Sequence, residues 1–316
     1  MNVSNNNPKG IIFILLGMAF FSIQDSLIKF IYEDTSLYEL YFGRTLVAFL
    51  LLIIYLKTTS QKLILKTQYP LLTVLRVICF FFGFSFFYIS LTFMSLAMAN
   101  ALFFSSPFFV SILAIIFLKE KVGIRRWLGI GIGFTGVYII LNPNFEDFNY
   151  MKLAPVACAL CYAISMIITK FTSDKDNVYT QMSHLYIGAI FISILFFIFT
   201  GKGQLNVSND PTFQFIFREW FTNPGYSWPF IVTMGVVAAF SFYCVFSAYS
   251  LASPSVVSLY EYSLIIWAII IGYVLFNDVP SLRTLIGVSL IIGAGVYIYI
   301  REKARDQMIV TDSPNR

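Results

Sequence analysis

Apolar runs of about 20 residues recur along the whole chain and are separated by short polar connections. At 1.5 Å per residue, a helix of that length spans the roughly 30 Å hydrocarbon core of a bilayer. Ten runs meet this criterion, and we number them as spans one to ten: about 10–31, 37–56, 71–93, 96–118, 124–141, 152–171, 179–200, 227–250, 254–276 and 281–300. The longest connection, about 201–226, contains FQFIFREWF, which predicts a helix lying at the membrane surface.

The composition agrees with a membrane protein. Of the 316 residues, 58% are hydrophobic and only 12% are charged, against roughly 25% charged residues in a soluble domain. The sequence therefore predicts an all-α membrane protein with ten transmembrane helices and no soluble domain. The N-terminal segment lacks the basic start and small-residue cleavage site of a signal peptide, so we expect span one to be retained. All four cysteines lie within spans, which favours apolar packing over disulfides or metal binding.

Basic residues concentrate in the connections that follow spans two, four, six and ten. If the spans alternate in direction, these connections lie on one side, which the positive-inside rule identifies as cytoplasmic. Twelve residues follow this pattern: Lys57, Lys62, Lys66, Lys119, Lys121, Arg125, Arg126, Lys170, Lys175, Arg301, Lys303 and Arg305. The exceptions are Lys202, Arg218 and Arg283. We therefore expect a multi-pass membrane protein with both termini cytoplasmic, including the tail 301–316. The net charge of +5 then needs no nucleic-acid partner.

The two halves of the chain resemble each other. A shift of 158 residues aligns FLKEKVGIRRWLG (117–129) with LFNDVPSLRTLIG (275–287), so that Glu120 meets Asp278. This predicts two five-helix copies, 10–141 and 152–300. Because five is odd, the second copy enters the bilayer from the opposite side. Inverted repeats are typical of secondary transporters, although duplication retained only for packing is an alternative.

Two stretches of the chain resemble the EamA repeat of the drug/metabolite transporter superfamily. The first is FFGFSFFYISLTFMSLAMANALFFSSPFFVSILAIIFLKEKVGIRRWLGIGIGFTGVYIIL. The second, which is similar to the second-half version of the repeat, is EYSLIIWAIIIGYVLFNDVPSLRTLIG. The sequence departs from the family pattern at Asn277-Asp278, where Gly-Glu is usual. The resemblance implies ten helices, a homodimer in some members, and transport of small metabolites without ATP. The segments AFFSIQDSLIKF, YFGRTLVAF and VLRVICFFFGFSFFYISL also resemble carriers that take up S-adenosylmethionine and, more loosely, riboflavin carriers.

Ionisable side chains inside spans cost several kcal/mol unless they are paired or face water, which makes them candidates for a transport pathway. Six are the candidates: Asp25, Lys29, Arg44, Arg76, His184 and Glu261. Asp25 is a candidate for substrate or proton contact, with pairing to Lys29 four residues later as the structural alternative. Lys29 lies near the end of its span, where it can extend to the membrane surface. Arg44 could bind a substrate carboxylate through two parallel hydrogen bonds, or be tethered to Asp25 instead.

Glu261 lies in the apolar setting LYEYSLIIW, where a carboxyl group is a candidate for proton exchange that couples transport to a proton gradient. The alternative is a hydrogen bond with a tyrosine such as Tyr243 or Tyr249. Arg76 lies close to the start of span three, so we expect its side chain to extend to the cytoplasmic surface. His184, the single histidine, is expected to be packed, with a proton relay as the alternative.

Aromatic residues beside these polar groups are further candidates for substrate contact. They are Tyr88, Phe104, Tyr162, Tyr260, Tyr262 and Trp267. Aromatic faces with a carboxylate suit a cation, and an arginine suits a carboxylate, so the set as a whole suits a zwitterion with a flat ring.

Three features concern gating and packing. Pro107 removes a backbone hydrogen bond in the middle of span four, where it could act as a gate or form a static bend. Glu120 and Asp278 are candidate gating or structural residues. The glycines of GIGIGFTG (129–136) and IGAG (292–295) favour close helix packing, either within the bundle or across a dimer.

Together with the resemblance, these observations predict an alternating-access carrier for a small polar metabolite in a bacterial inner membrane, with S-adenosylmethionine uptake as the best candidate activity. Riboflavin uptake and export of amino acids are alternatives. An intramembrane enzyme is disfavoured because the chain has no HExxH, GxSxG or paired catalytic aspartate motif. A scaffold or channel is a third class. The predicted partners are a small molecule, the lipid bilayer and a proton, and no catalytic residue, cofactor or metal is expected.

Overall fold

The structure, a computed structural model, describes residues 6–93, 96–120, 122–141, 150–276, 281–283, 285–294 and 296–297. Asp278 and the tail 301–316 lie outside these residues, as does the side chain of Lys29. All the regular elements of the described residues are helical. They are α1 (Asn7–Ile31), α2 (Leu37–Thr58), α3 (Pro70–Ser90), α4 (Leu96–Phe103), α5 (Ser106–Leu118), α6 (Ile124–Leu141), a 3-10 turn (Tyr150–Leu153), α7 (Ala154–Thr172), α8 (Val178–Thr200), α9 (Pro211–Phe217), α10 (Pro224–Leu251), α11 (Pro254–Val257), a 3-10 segment (Ser258–Tyr262), α12 (Ser263–Phe276) and α13 (Leu285–Ala294).

Six helices within the described residues are long and apolar enough to cross a bilayer. They are α1, α2, α3, α7, α8 and α10, which occupy predicted spans one, two, three, six, seven and eight. This part of the ten-span prediction is therefore established, and the protein is a multi-pass integral membrane protein. The short helix α9 forms in the longest connection and buries Phe215.

Predicted span four is a broken helix. Helix α4 ends at Phe103 and α5 begins at Ser106, with Pro107 in its first turn. Proline suits that position because its missing N–H would have no intrahelical acceptor there. The Ser105 hydroxyl donates to the Leu102 carbonyl at 2.8 Å, which satisfies one acceptor at the end of α4. Pro107 therefore starts a new helix and does not merely bend a continuous one.

Predicted span nine is interrupted at the corresponding place. The 3-10 segment Ser258–Tyr262 separates α11 from α12. The 158-residue shift between the repeats aligns Phe104 with Tyr262, and these two rings lie 5.5 Å apart. The two interruptions therefore meet in the interior of the bundle.

The helix contacts repeat between the two halves of the chain. Helix α1 packs on α10 as α7 packs on α3, and α2 packs on α10 as α8 packs on α3. Likewise α12 packs on α1 as α5 packs on α7, while α2 and α8 pack on each other. The interior is thus built mainly from contacts between the halves.

Glycines hold α6 close to its neighbours inside the bundle. A Cβ atom on Gly133 would lie 2.5 Å from the Tyr262 ring, and one on Gly136 would lie 2.7 Å from the carbonyl oxygen of Gly287. Gly131, on the same helix, has no heavy atom within 4 Å of that position. Close packing within the bundle and packing across a dimer were the two alternatives for these glycines. Gly133 and Gly136 pack within the bundle.

These contacts predict opposite effects of two matched substitutions. Gly136→Ala should lower the apparent melting temperature in detergent, because the added methyl group collides with backbone of α13 and overpacking costs about 1–3 kcal/mol. Gly131→Ala should leave it unchanged or raise it, since alanine favours a helix over glycine by up to about 1 kcal/mol. Thermal unfolding of both variants checks this. Equal melting temperatures would mean that α6 and α13 are not in contact.

Candidate functional site

Glu261 joins the two interrupted spans. Its side chain is buried, and Oε1 accepts hydrogen bonds from the hydroxyls of Tyr162, at 2.7 Å, and Tyr249. Oε2 accepts from Ser106 at 3.0 Å, at the start of α5. One carboxylate thereby connects α5, α7, α10 and the 3-10 segment. The hydrogen bond expected for Glu261 with a tyrosine is present with Tyr249, whereas Tyr243 packs against Phe13 and Tyr179.

Asp25 lies beside a cavity of about 30 Å³ enclosed mainly by aromatic rings, which we call the Asp25 cavity. Its lining residues are Met18, Phe21, Asp25, Phe84, Phe87, Asn100, Phe103, Tyr162 and Leu264. Tyr162 therefore faces this cavity with its ring while its hydroxyl binds Glu261. The volume holds one or two water molecules, and a negative charge among aromatic faces suits a small cation.

Arg44 forms the centre of a second polar cluster. Its Nη1 donates to the Tyr88 hydroxyl at 2.7 Å, and the guanidinium carbon lies 4.8 Å from the Tyr41 ring centre. The Gln24 amide also donates to the Tyr88 hydroxyl, at 3.0 Å. Tyr88, a predicted candidate for substrate contact, thus lies beside Arg44, and α1, α2 and α3 all contribute residues to this cluster.

The Arg44 guanidinium is buried without a carboxylate partner. Within the described part of the chain, no direct ion pair joins it to Asp25 or to any other acidic residue, although the charges of Arg44 and Asp25 lie close enough to attract each other. The Arg44 Nε–H also has no hydrogen-bond acceptor. A buried unpaired charge costs several kcal/mol, so the site is well suited to a bound anion.

Arg44 lines a cavity of about 20 Å³, which we call the Arg44 cavity. Its lining residues are Tyr41, Arg44, Thr45, Phe80, Phe81, Phe84, Leu185, Tyr186, Ala189 and Phe242. Both repeats contribute to this cavity and to the Asp25 cavity, because α1 to α5 belong to the first half and α7, α8, α10 and α12 to the second. A central site between the halves is the arrangement expected of a secondary transporter.

The model of the EamA-like transporter family matches residues 8–142 and again residues 151–300. The chain belongs to this family.

Curated relatives of this EamA-like transporter carry transporter names. The S-adenosylmethionine uptake transporter of Rickettsia felis is 28% identical over 294 residues, which is 93% of each chain. The riboflavin transporter of Vibrio cholerae is 26% identical over 254 residues, covering 80% of this chain and 79% of the relative. A protein of known crystal structure matches 94% of this chain with a TM-score of 0.74 at 14% identity, covering 97% of that protein, which shows a shared fold.

The structure corrects the expectation for Arg76. Its side chain is completely buried and does not extend to the surface. Nη1 donates to Gln181 Oε1 at 2.7 Å, and the guanidinium lies 5.7 Å from the Phe246 ring centre. Because Gln181 is on α8 and Phe246 on α10, Arg76 links α3 to two helices of the second repeat of this EamA-like transporter.

Two other predicted residues lie away from both cavities. The His184 Nε2 lies 2.7 Å from the carbonyl oxygen of Leu65 and ties α8 to the connection before α3, in keeping with a packed histidine. The Trp267 Nε1–H donates to the carbonyl oxygen of Leu15 at 3.1 Å and fixes α12 to α1. Of the remaining aromatic candidates, Tyr260 is buried in the 3-10 segment, while Phe104 and Tyr262 pack on each other beside it.

Glu120 closes one end of the bundle. It accepts hydrogen bonds from the hydroxyls of Ser253, at 2.8 Å, and Ser255, at 2.6 Å. These serines lie where α10 leads into α11, and Lys170 Nζ donates to the Ser250 carbonyl in the same region at 3.2 Å. The side chains of the two repeats therefore meet at this end.

Sequence reasoning did not single out Asn100 or Tyr186, which line the cavities, and it noted Gln24, which donates to Tyr88, only through its resemblance to a residue pair of related carriers. Gln24 and Asn100 are amides inside predicted spans, where few polar residues occur, and that rarity was an available signal. Tyr186 is one of 19 tyrosines, so its type alone carries no such signal.

Proposed function

We propose that the chain is a secondary transporter that takes up a small zwitterionic metabolite with an aromatic group, and that S-adenosylmethionine is its substrate. The observation that supports this most strongly is the buried Arg44 guanidinium without a carboxylate partner, close to a buried aspartate among aromatic rings. A substrate carboxylate would supply the missing anion, and a sulfonium or ammonium group would fit beside Asp25. The names of the Rickettsia relatives agree with this chemistry.

Transport would proceed by alternating access between two inverted five-helix repeats. Cavities of about 30 and 20 Å³ are too small for an organic metabolite, so the substrate must enter a more open conformation. The same pattern of helix contacts occurs in both halves of the chain. This pattern supports the mechanism, because two similar units can exchange inward-facing and outward-facing conformations. In this proposal the chain has ten spans, and both termini lie in the cytoplasm of a bacterial cell. The hydrogen bonds of Glu120 with Ser253 and Ser255 would close the cytoplasmic end of the bundle.

Glu261 would carry the coupling proton. It lies at the meeting point of the two interrupted spans, and Tyr162 connects it to the Asp25 cavity. Protonation of Glu261 and binding of substrate in the Asp25 cavity would thereby both affect the helix ends at the two interrupted spans.

Counterflow in proteoliposomes tests the substrate. Vesicles loaded with unlabelled S-adenosylmethionine should transiently accumulate labelled S-adenosylmethionine from outside, while vesicles loaded with riboflavin or amino acids should not do so. Transport of riboflavin, which the Vibrio relative's name suggests, would replace the proposed substrate but keep the carrier mechanism. Flux without counterflow would indicate a channel, and countertransport of amino acids alone would indicate an amino-acid carrier in place of the proposed one.

A further inference from the structure

A single aromatic side chain separates the two cavities. Phe84 is the one residue among those described that lines both the Asp25 cavity and the Arg44 cavity. Its ring stacks on Phe80 and Phe21, with centroid distances of 5.7 and 6.0 Å. Phe80 lines the Arg44 cavity and Phe21 lines the Asp25 cavity, so the Phe84 ring lies between the two linings.

The two cavities present opposite hydrogen-bonding groups. The Asp25 cavity contains acceptors, namely the Asp25 carboxylate and the Asn100 Oδ1, which is buried without a donor. The Arg44 cavity contains donors, namely the Arg44 Nε–H and the Tyr186 hydroxyl, both of which are buried without a partner. Buried polar atoms normally have partners, so unpartnered atoms on both sides point to a ligand that supplies them.

We infer that the two cavities are the halves of one bipolar binding site, and that Phe84 is the movable side chain that joins or separates them. The cationic end of the substrate binds between Asp25 and Asn100, and its carboxylate binds between Arg44 and Tyr186. This deepens the proposed function, on which it rests, because it assigns Asn100, Tyr186 and Phe84 to substrate recognition.

Movement of Phe84 explains how two small cavities hold one larger solute. Neither cavity alone has room for more than one or two water molecules. The Phe84 side chain is only partly buried and sits among other rings, so a change in its rotamer exchanges one aromatic contact for another. A rigid partition would exclude any ligand that reaches both Asp25 and Arg44.

Thiol labelling tests the partition without requiring transport. In full-length protein whose four native cysteines are replaced, Met18→Cys reports on the Asp25 cavity and Thr45→Cys on the Arg44 cavity. The probe is the small cationic reagent 2-aminoethyl methanethiosulfonate. We expect Met18→Cys to react faster than Thr45→Cys, and Phe84→Ala to accelerate the reaction at Thr45→Cys by roughly tenfold.

Phe87→Ala and Phe81→Ala are the matched controls, because Phe87 lines only the Asp25 cavity and Phe81 only the Arg44 cavity. Neither should accelerate labelling at Thr45→Cys. If either does so as strongly as Phe84→Ala, or if Phe84→Ala has no effect, the partition is refuted.

Substrate protection tests the two poles. With Phe84 intact, S-adenosylmethionine should protect both cysteines, whereas its decarboxylated analogue should protect Met18→Cys alone. Protection of both positions by the decarboxylated analogue would refute the assignment of the carboxylate to Arg44 and Tyr186. If no solute protects either cysteine but Phe84→Ala still opens the route to Thr45→Cys, the proposed substrate fails while the partition stands.

Discussion

Glu261→Gln should lose proton-driven accumulation of substrate while keeping counterflow. A one-unit pH gradient stores about 1.4 kcal/mol per proton, so one coupled proton supports about a tenfold accumulation ratio. The glutamine side chain cannot bind and release a proton in this range, and that tenfold accumulation should disappear. Counterflow requires no net proton movement and should stay within about threefold of the original rate. Accumulation and counterflow measured in the same proteoliposomes, with and without the gradient, check this.

The shape of the site makes this substitution informative. Glutamine keeps one carbonyl oxygen for the two tyrosines that donate to Glu261 Oε1, and the Ser106 hydroxyl can rotate to accept a hydrogen bond from the new amide. Ser106→Ala is the matched control, because it removes one hydrogen bond but leaves the carboxyl group. It should retain gradient-driven accumulation. Normal accumulation by Glu261→Gln would show that Glu261 only connects the interrupted spans.

The membrane pattern and the repeat were readable from the sequence because both depend on long-range periodicities. Apolar runs set the helix positions, and the match between 117–129 and 275–287 indicates the duplication. A kink or bend at Pro107 was predicted because proline cannot continue a helix without loss of a hydrogen bond, whereas the structure has a break between α4 and α5 there. The matching interruption at Ser258–Tyr262 contains no proline and left no comparable mark in the sequence.

The rotational position of each helix was harder to predict. Membrane helices are apolar both towards lipid and towards their neighbours, so periodicity says little about which side faces inward. Arg76 was therefore placed at the surface from its depth alone, although it is buried against α8 and α10. For the same reason Tyr186 could not be distinguished from tyrosines that face lipid. The pairing of Arg44 with Tyr88, which lies across a helix interface, needed the three-dimensional arrangement of α2 and α3.

Arg44→Lys should selectively weaken substrates that carry a carboxylate. Lysine keeps the positive charge but loses the planar guanidinium that donates to Tyr88 and lies over Tyr41. Loss of a charge-assisted hydrogen bond costs about 1.5–3 kcal/mol, so the half-saturating concentration of S-adenosylmethionine should rise about 10- to 100-fold. That of the decarboxylated analogue should change by less than about threefold. Competition by both compounds against labelled S-adenosylmethionine measures the two effects.

Arg76→Lys is the control that separates recognition from packing. Both arginines are buried and each makes a 2.7 Å hydrogen bond to a neutral side chain, but Arg76 does not line either cavity. Arg76→Lys should therefore lower thermal stability without changing the ratio of the two half-saturating concentrations. If Arg44→Lys weakens both compounds equally and only reduces stability, Arg44 has the same structural role as Arg76. A changed ratio at Arg44 alone would place the substrate carboxylate beside its guanidinium.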